Sequence, residues 1–124
     1  MSSQLQLSVL CLAALAPSAA LTPGKVIVVG SHNQDLITSG ARIPRPGETV
    51  LHDTFSQAFG GKGANQAVQA ALLGADTHFV GKVGDDAYGA AALQNLKDRG
   101  VIIDNVRTTK TAPTGVAFVA VGAE

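Results

Sequence analysis

From Lys25 onward the apolar positions change period several times. KVIVVG at 25–30 is a continuous β-branched run closed by a glycine. Such a run predicts a parallel-sheet strand buried on both faces. IPRPGETV at 43–50 carries two prolines and a glycine and reads as a turn. VLHDTFSQAF at 50–59 mixes aromatic, β-branched and polar residues, the pattern of one or two exposed strands. In ANQAVQAALLG at 64–74, Ala64, Ala67, Val68, Ala71 and Leu72 form one apolar stripe at helical spacing. Gly74 is placed to close that helix as a left-handed cap. THFVGKVG at 77–84 predicts another strand. DDAYGAAALQNLKDRG at 85–100 predicts a second helix, capped by Asp85 and Asp86 and ended by Gly100. VIIDNVRT at 101–108 and GVAFVAV at 115–121 are further strands. This alternation of strands and helices predicts an α/β domain. The strands after Val50 and after Val101 need not share a sheet with Val26–Val29.

Composition narrows the class. The chain has 124 residues, enough for one small domain with a single core. It is 46% hydrophobic and only 15% charged, which excludes a disordered tail. Nine Lys and Arg balance nine Asp and Glu, so charge gives no case for nucleic acid or an anionic membrane as partner. The lone Cys11 excludes an internal disulfide and argues against a cysteine metal site. His32, His52 and His78 lack ligand spacing and read as surface or loop residues.

Residues 1–24 stand apart as a leader, targeting or variable. LSVLCLAALAPSAAL at 7–21 is too short and too interrupted for a membrane span. Its length suits the apolar part of a secretory signal, with Ser18-Ala19-Ala20 as a cleavage site. The positive segment such a signal carries is missing, since no Lys or Arg precedes Lys25. Pro23-Gly24 separates the leader from residues 25–124.

The candidate chemistry begins at FGGKGANQ, residues 59–66. Gly60, Gly61 and Gly63 directly precede the helix expected near Ala64. The first turn of a helix has unpaired N–H groups and a partial positive charge. Glycines there let a ligand approach the backbone. Lys62 adds a full charge, and Asn65 offers a donor and an acceptor that suit a hydroxyl. A P-loop does not fit, because Gly63 follows Lys62 where Ser or Thr is needed. A dinucleotide fingerprint does not fit, because position 66 is Gln66 and the stretch does not follow the first strand. A plain turn capping the helix is the alternative. A second stretch, GSHNQDL at 30–36, directly follows the first strand, where open α/β sheets bind ligands. Asp35 can accept two hydrogen bonds from a vicinal diol, and Asn33 can orient the same ligand. An Asx turn is the alternative there.

VVGSHNQD, PRPGET, FGGKGANQAVQAALLGA, VGKVGDDAYG and PTGVAFV resemble, in order and spacing, the ribokinase branch of the PfkB-type sugar kinase family. The resemblance runs from about Val26 to the end of the chain. It implies a ribokinase-like fold, a partial doubly wound parallel sheet with a small β-sheet lid. The lid would comprise segments about 36–59 and 101–121. Asn33, Gln34 and Asp35 would bind sugar hydroxyls, and Gly61, Lys62, Gly63, Ala64 and Asn65 would line the other side of the sugar. The implied reaction is ATP-dependent phosphorylation of ribose. The family uses ATP, Mg²⁺ and a monovalent cation such as K⁺, works in the cytoplasm and pairs as a homodimer through the lid. Family members continue beyond the point matched by Glu124, and the resemblance implies that the catalytic base, ATP pocket and cation site lie in that later part. No catalytic residue is therefore expected among these 124. Two other readings stay open: a truncated, non-catalytic product that binds sugar weakly or pairs through its lid, and a kinase of another small sugar or nucleoside. A secreted sugar-binding protein is a further reading that depends on the leader.

Overall fold

The structure is a computed structural model and describes residues 24–123. Cys11, the apolar stretch and the cleavage-site residues of the leader lie outside the described residues. The elements are β1 (Lys25–Val29), β2 (Asn33–Gly40), β3 (Thr54–Gly60), α1 (Lys62–Leu72), β4 (Asp76–Gly84), α2 (Ala87–Asp98), β5 (Ile102–Thr109) and β6 (Gly115–Gly122).

Two three-stranded sheets result, and the expected α/β class with a small second sheet is borne out. The first has the order β1-β4-β5 and is parallel throughout. The second has the order β3-β2-β6, with β2 antiparallel to β3 and parallel to β6. In the parallel sheet the chain steps twice in the same direction. Right-handed crossovers then put both helices on one face. Accordingly α1 packs on β1 and β4, and α2 on β4 and β5. Ala64 and Ala67 of α1 meet Leu96 of α2 over Phe79, with Val101 closing the cluster. Alanines at these contacts let α1 approach the sheet closely.

Four expectations need correction. KVIVV is not buried on both faces: its residues alternate, and Ile27 and Val29 are exposed on the face that carries no helix among the described residues. The segment 101–121 is not all lid, because β5 pairs in parallel with β4 and belongs to the first sheet. Only β6 joins the small sheet. The other lid segment starts earlier than 36, since β2 begins at Asn33. Leu72 does not join the buried stripe of α1; the stripe turns away from the sheet in the last turn and leaves Leu72 exposed.

The helix ends follow the glycines. Gly74 and Gly100 have positive φ, as left-handed caps require. Asp86 caps α2 by accepting from the Gly89 N–H at 2.8 Å. Asp85 does not cap; its carboxylate lies 3.8 Å from the exposed Lys110 ammonium. The turn at Pro46-Gly47 is held by Glu48, which accepts from the Arg42 guanidinium at 2.7 Å and from the Arg45 N–H at 2.9 Å.

Candidate functional site

The site grows from the seam between the two sheets. β1 ends at Val29, and Gly30 carries the chain across to β2. The Gly30 N–H still donates to Val80 O at 3.1 Å, so the crossing point is anchored to the parallel sheet. On the other side of the seam β3 ends at Gly60, and α1 starts two residues later.

Close backbone packing explains the glycines. A Cβ on Gly63 would sit 2.8 Å from the Gly30 Cα, and one on Gly30 would sit 2.9 Å from the Gly63 Cα. Gly61 has φ +96, and a Cβ there would lie 2.6 Å from Ser31 O. The Ala64 N–H donates to Ser31 O at 3.2 Å, and the Asn65 N–H to Gly61 O at 2.9 Å. The N–H groups of Lys62 and Gly63 have no hydrogen-bond partner among the described residues. They are the open donors of the helix start.

Asn33 and Asp35 lie two apart on β2 and so share one face of the small sheet. Both are half-buried. They rest on a floor of small residues: Asn33 pairs with Gly60 and Gly115, and Asp35 with Ala58 and Ala117. A Cβ on Gly60 would lie 2.6 Å from Asp35 Cγ, and one on Gly115 would lie 2.7 Å from Asn33 Oδ1. The strand placement replaces the Asx turn considered above. An amide and a carboxylate thus stand side by side at the strand end, one residue pair from the glycine-rich start of α1. Lys62 is exposed at that start. The set offers acceptors for two adjacent hydroxyls and donors for a polar or anionic group.

Two of the expected site residues, Gln34 and Ala64, are placed differently. Gln34 is on the opposite face of β2, buried, with its Nε2 donating to Ala58 O at 3.1 Å. Strand alternation makes it a tie between β2 and β3 rather than a neighbour of the Asn33–Asp35 pair. The Ala64 side chain is buried in the core under α1, and its N–H is already taken by Ser31. Asn65 lines a cavity with His32, Phe59 and, from α2, Asn95 and Arg99.

Of the three histidines, His32 and His52 lie in loops, as expected, and His78 in a strand. His32 is nonetheless buried: it is 4% exposed, its ring meets Phe59 edge-on at 5.9 Å, and neither ring nitrogen has a hydrogen-bond partner among the described residues. Burial pushes its pKa down from the usual 6.5, against a smaller opposing pull from the Asp35 carboxylate. His52 pins the loop before β3, through Thr38 Oγ1 at 2.9 Å and Arg42 O at 3.1 Å. His78 is half-buried within β4, with the Asp76 carboxylate at 3.4 Å.

A junction that the sequence reading missed sits at Thr114. Asp86 accepts from the Thr114 N–H and from its hydroxyl, both at 2.8 Å, while that hydroxyl accepts from the Gly84 N–H at 2.9 Å. The start of β6 is thereby fastened to the end of β4 and the cap of α2. These bonds, that from the Thr114 N–H first, hold the Asp86 carboxyl below its usual range. The signal available was the PTG run following a capping Asp, which fixes neither partner by itself.

A parallel sheet with helices on one face, a small sheet rising from its carboxyl edge and a polar pair at the junction define an α/β domain with a candidate ligand site where the two sheets meet. Residues 23–124 match the model of the pfkB family carbohydrate kinases, and the chain belongs to that family. It is 48% identical to the ribokinase of Bacillus subtilis over 94 residues, covering 76% of this chain and 32% of that protein. It is 44% identical to the mouse (Mus musculus) ribokinase over 99 residues, covering 80% of this chain and 31% of that one. Among solved structures, Arabidopsis thaliana ribokinase complexed with ribose and ATP superposes with a TM-score of 0.73 at 41% identity, covering 82% of this chain and 33% of that chain. Ribokinase from Cryptococcus neoformans in complex with ADP gives 0.73 at 34% identity, covering 81% and 32%. The chain spans about a third of the length of the relatives it matches.

Proposed function

We propose that this chain is the sugar-recognising part of an ATP-dependent kinase whose acceptor is ribose. The observation that carries the reading is the Asn33–Asp35 pair on its floor of Gly60 and Gly115. A carboxylate and an amide on one strand face suit neighbouring hydroxyls of a sugar ring. Asp35 takes two hydroxyl hydrogen bonds, and Asn33 fixes the ring's orientation. The free N–H groups of Lys62 and Gly63, with the Lys62 ammonium, hold the far side of the sugar. The relative complexed with ribose and ATP supports this choice of acceptor and phosphoryl donor.

In this reading the small sheet covers the sugar and excludes water, so that the phosphoryl group passes to a sugar hydroxyl rather than to water. The reaction transfers the terminal phosphoryl group of ATP to the 5-hydroxyl of ribose, and Mg²⁺ with a monovalent cation such as K⁺ offsets phosphate charge. Among the described residues no cluster of three or more His, Cys, Asp or Glu side chains is placed to hold a metal. The same reading pairs two copies through the small sheet, where Phe55 and Phe118 are exposed on one face.

Calorimetric titration of the purified chain with ribose, fructose and adenosine tests the proposal. Ribose is expected to bind saturably and more tightly than the other two, and Asp35→Ala is expected to abolish that binding. Preferential binding of fructose or adenosine would reassign the acceptor. Ribose binding that survives Asp35→Ala would remove the pair from the site.

A further inference from the structure

The chain crosses between the two sheets three times. β1 enters β2 through residues 30–32, β3 enters α1 at Gly61, and residues 110–114 carry β5 into β6. The small-sheet residues at these crossings, Asn33, Gly60 and Gly115, stand in one register row. The first two crossings lean on each other, through Gly63 packed on Gly30. The third is held by side chains instead. There the Asp86 carboxylate accepts from the Thr114 N–H, the Thr114 hydroxyl and the Gly89 N–H, each at 2.8 Å. The Thr114 hydroxyl in turn accepts from the Gly84 N–H at 2.9 Å. Two glycines clear the space: a Cβ on Gly84 would run into the Thr114 nitrogen, and one on Gly89 into Gly84 O.

This fastening stands one residue from the candidate site. Gly115 follows Thr114 and is the β6 partner of Asn33. A Cβ on Gly115 would sit 2.7 Å from Asn33 Oδ1 and 3.5 Å from Asn33 Cγ. The Asn33 amide therefore occupies the space of the missing side chain, and the place of the β6 backbone sets where that amide can point. Ending α2 needs only the bond from Gly89. The two further bonds of the same carboxylate go to the residue that seats Gly115. An ionised acceptor makes shorter and stronger hydrogen bonds than a neutral one, which suits a fixed anchor.

We propose that Asp86 and Thr114 are positioning residues for sugar recognition: Asp86 fixes Thr114, Thr114 fixes Gly115, and Gly115 orients the Asn33 amide toward a sugar hydroxyl. The proposal rests on the sugar reading of the Asn33–Asp35 face. It gives the cap of α2, which touches no sugar, a part in the affinity of that face.

The test uses the ¹⁵N-labelled 124-residue chain, under conditions where far-ultraviolet circular dichroism shows every variant folded. Thr114→Val removes the hydroxyl and keeps the shape, and Asp86→Asn replaces one acceptor with a donor. Each is expected to move the Asn33 side-chain NH₂ signals with no sugar present, and to weaken ribose binding about threefold to tenfold, the range of one hydrogen bond. Thr114→Ser keeps the hydroxyl and is expected to restore both readouts. Val101→Ala is the control for plain loss of stability, since it trims the cluster around Phe79. It is expected to lower the urea midpoint while leaving the Asn33 signals and the ribose affinity at wild-type values. The proposal fails if Thr114→Val leaves the Asn33 signals or the affinity unchanged, if serine does not rescue, or if Val101→Ala weakens ribose binding equally. A wild-type chain that binds no ribose would remove the sugar reading. The sugar-free Asn33 signals would then decide the positioning alone: signals that move in Thr114→Val and Asp86→Asn uphold it, and unmoved signals overturn it.

Discussion

The Asp35 carboxylate lies directly over Gly60, the residue that pairs with Asn33 across the β2–β3 ladder, so close that a Cβ at Gly60 would sit 2.6 Å from Asp35 Cγ. The position of this carboxylate and the absence of a side chain beside it at Gly60 are one arrangement. Gly60→Ala is therefore expected to displace the carboxylate while leaving β3 in place. Ribose affinity should fall about tenfold or more, the loss of one charge-assisted hydrogen bond. Titration calorimetry beside far-ultraviolet circular dichroism checks it: unchanged affinity in a folded variant would show that Asp35 does not hold the sugar.

Asp35→Ala is expected to cost more ribose affinity than Lys62→Ala. Asp35 is half-buried on the strand face, and each hydroxyl bond to such a carboxylate contributes about 1.5–3 kcal/mol. Lys62 is exposed, and water and salt screen its charge. The two dissociation constants, measured at one salt concentration, decide. Equal losses would place the lysine on a par with the acid.

Much of this arrangement is legible in the sequence. β-Branched runs closed by glycine mark β1 and β4, and the small-residue stripe marks α1. The start of α1 is read two residues late because Gly-Lys-Gly has poor helix propensity. What holds that turn in helix is the packing of Gly63 on Gly30, a contact between segments far apart in the chain. VIIDNVRT says strand but not which sheet; the crossover through α2 decides that it joins β4. His32 reads as a surface or loop residue and does lie in the loop before β2, but nothing local shows that Phe59 and residues of two helices gather around it and bury it. Asn33 and Asp35 share a face because a spacing of two holds on any strand, whereas the same rule turns Gln34 away; the strand itself is not legible in GSHNQDL.

Thr114→Val removes the hydroxyl that joins Gly84 to Asp86. Thr114 is 3% exposed, so the Gly84 N–H would be left buried and unpaired. The expected cost is about 1–3 kcal/mol of stability. Asp86→Ala also loses the helix cap and is expected to destabilise in the same direction. Urea denaturation of the two single variants and the double variant should show losses that do not add, because both act on one network. Additive losses would break the link between the α2 cap and β6.

Stability is expected to fall as pH drops below about 6.5, the ordinary value of the imidazole. His32 is held below that value when folded, so the unfolded chain binds more protons in this window. The penalty is absent above 6.5 and grows until the pH passes the lowered folded value. Asp86 acts in a separate window. Its folded value is depressed, so its contribution is present above its ordinary 3.8 and is lost as pH falls through the folded value. Urea midpoints between about pH 7.5 and 5 isolate the histidine. His32→Phe should flatten the slope in that range, and an unchanged slope would assign it to other groups.

The helix-free face of the parallel sheet sets the last expectation. Ile27 is 62% exposed and Val29 77%, and they stand in register with His78 and Val80 of β4. Among the described residues β1 is also an edge strand, pairing with β4 alone. A parallel sheet is ordinarily covered on both faces, and an unprotected apolar edge invites pairing with another chain. The isolated chain is therefore expected to self-associate through β1 at micromolar concentration. Val29→Lys places a charge on the exposed face and should shift light scattering toward the monomer. The core should tolerate this change, because Val29 is not part of the cluster around Phe79. Near-ultraviolet circular dichroism would confirm that the variant stays packed. A wild-type chain that remains monodisperse and monomeric, with one sharp thermal transition, would show that this face needs no cover.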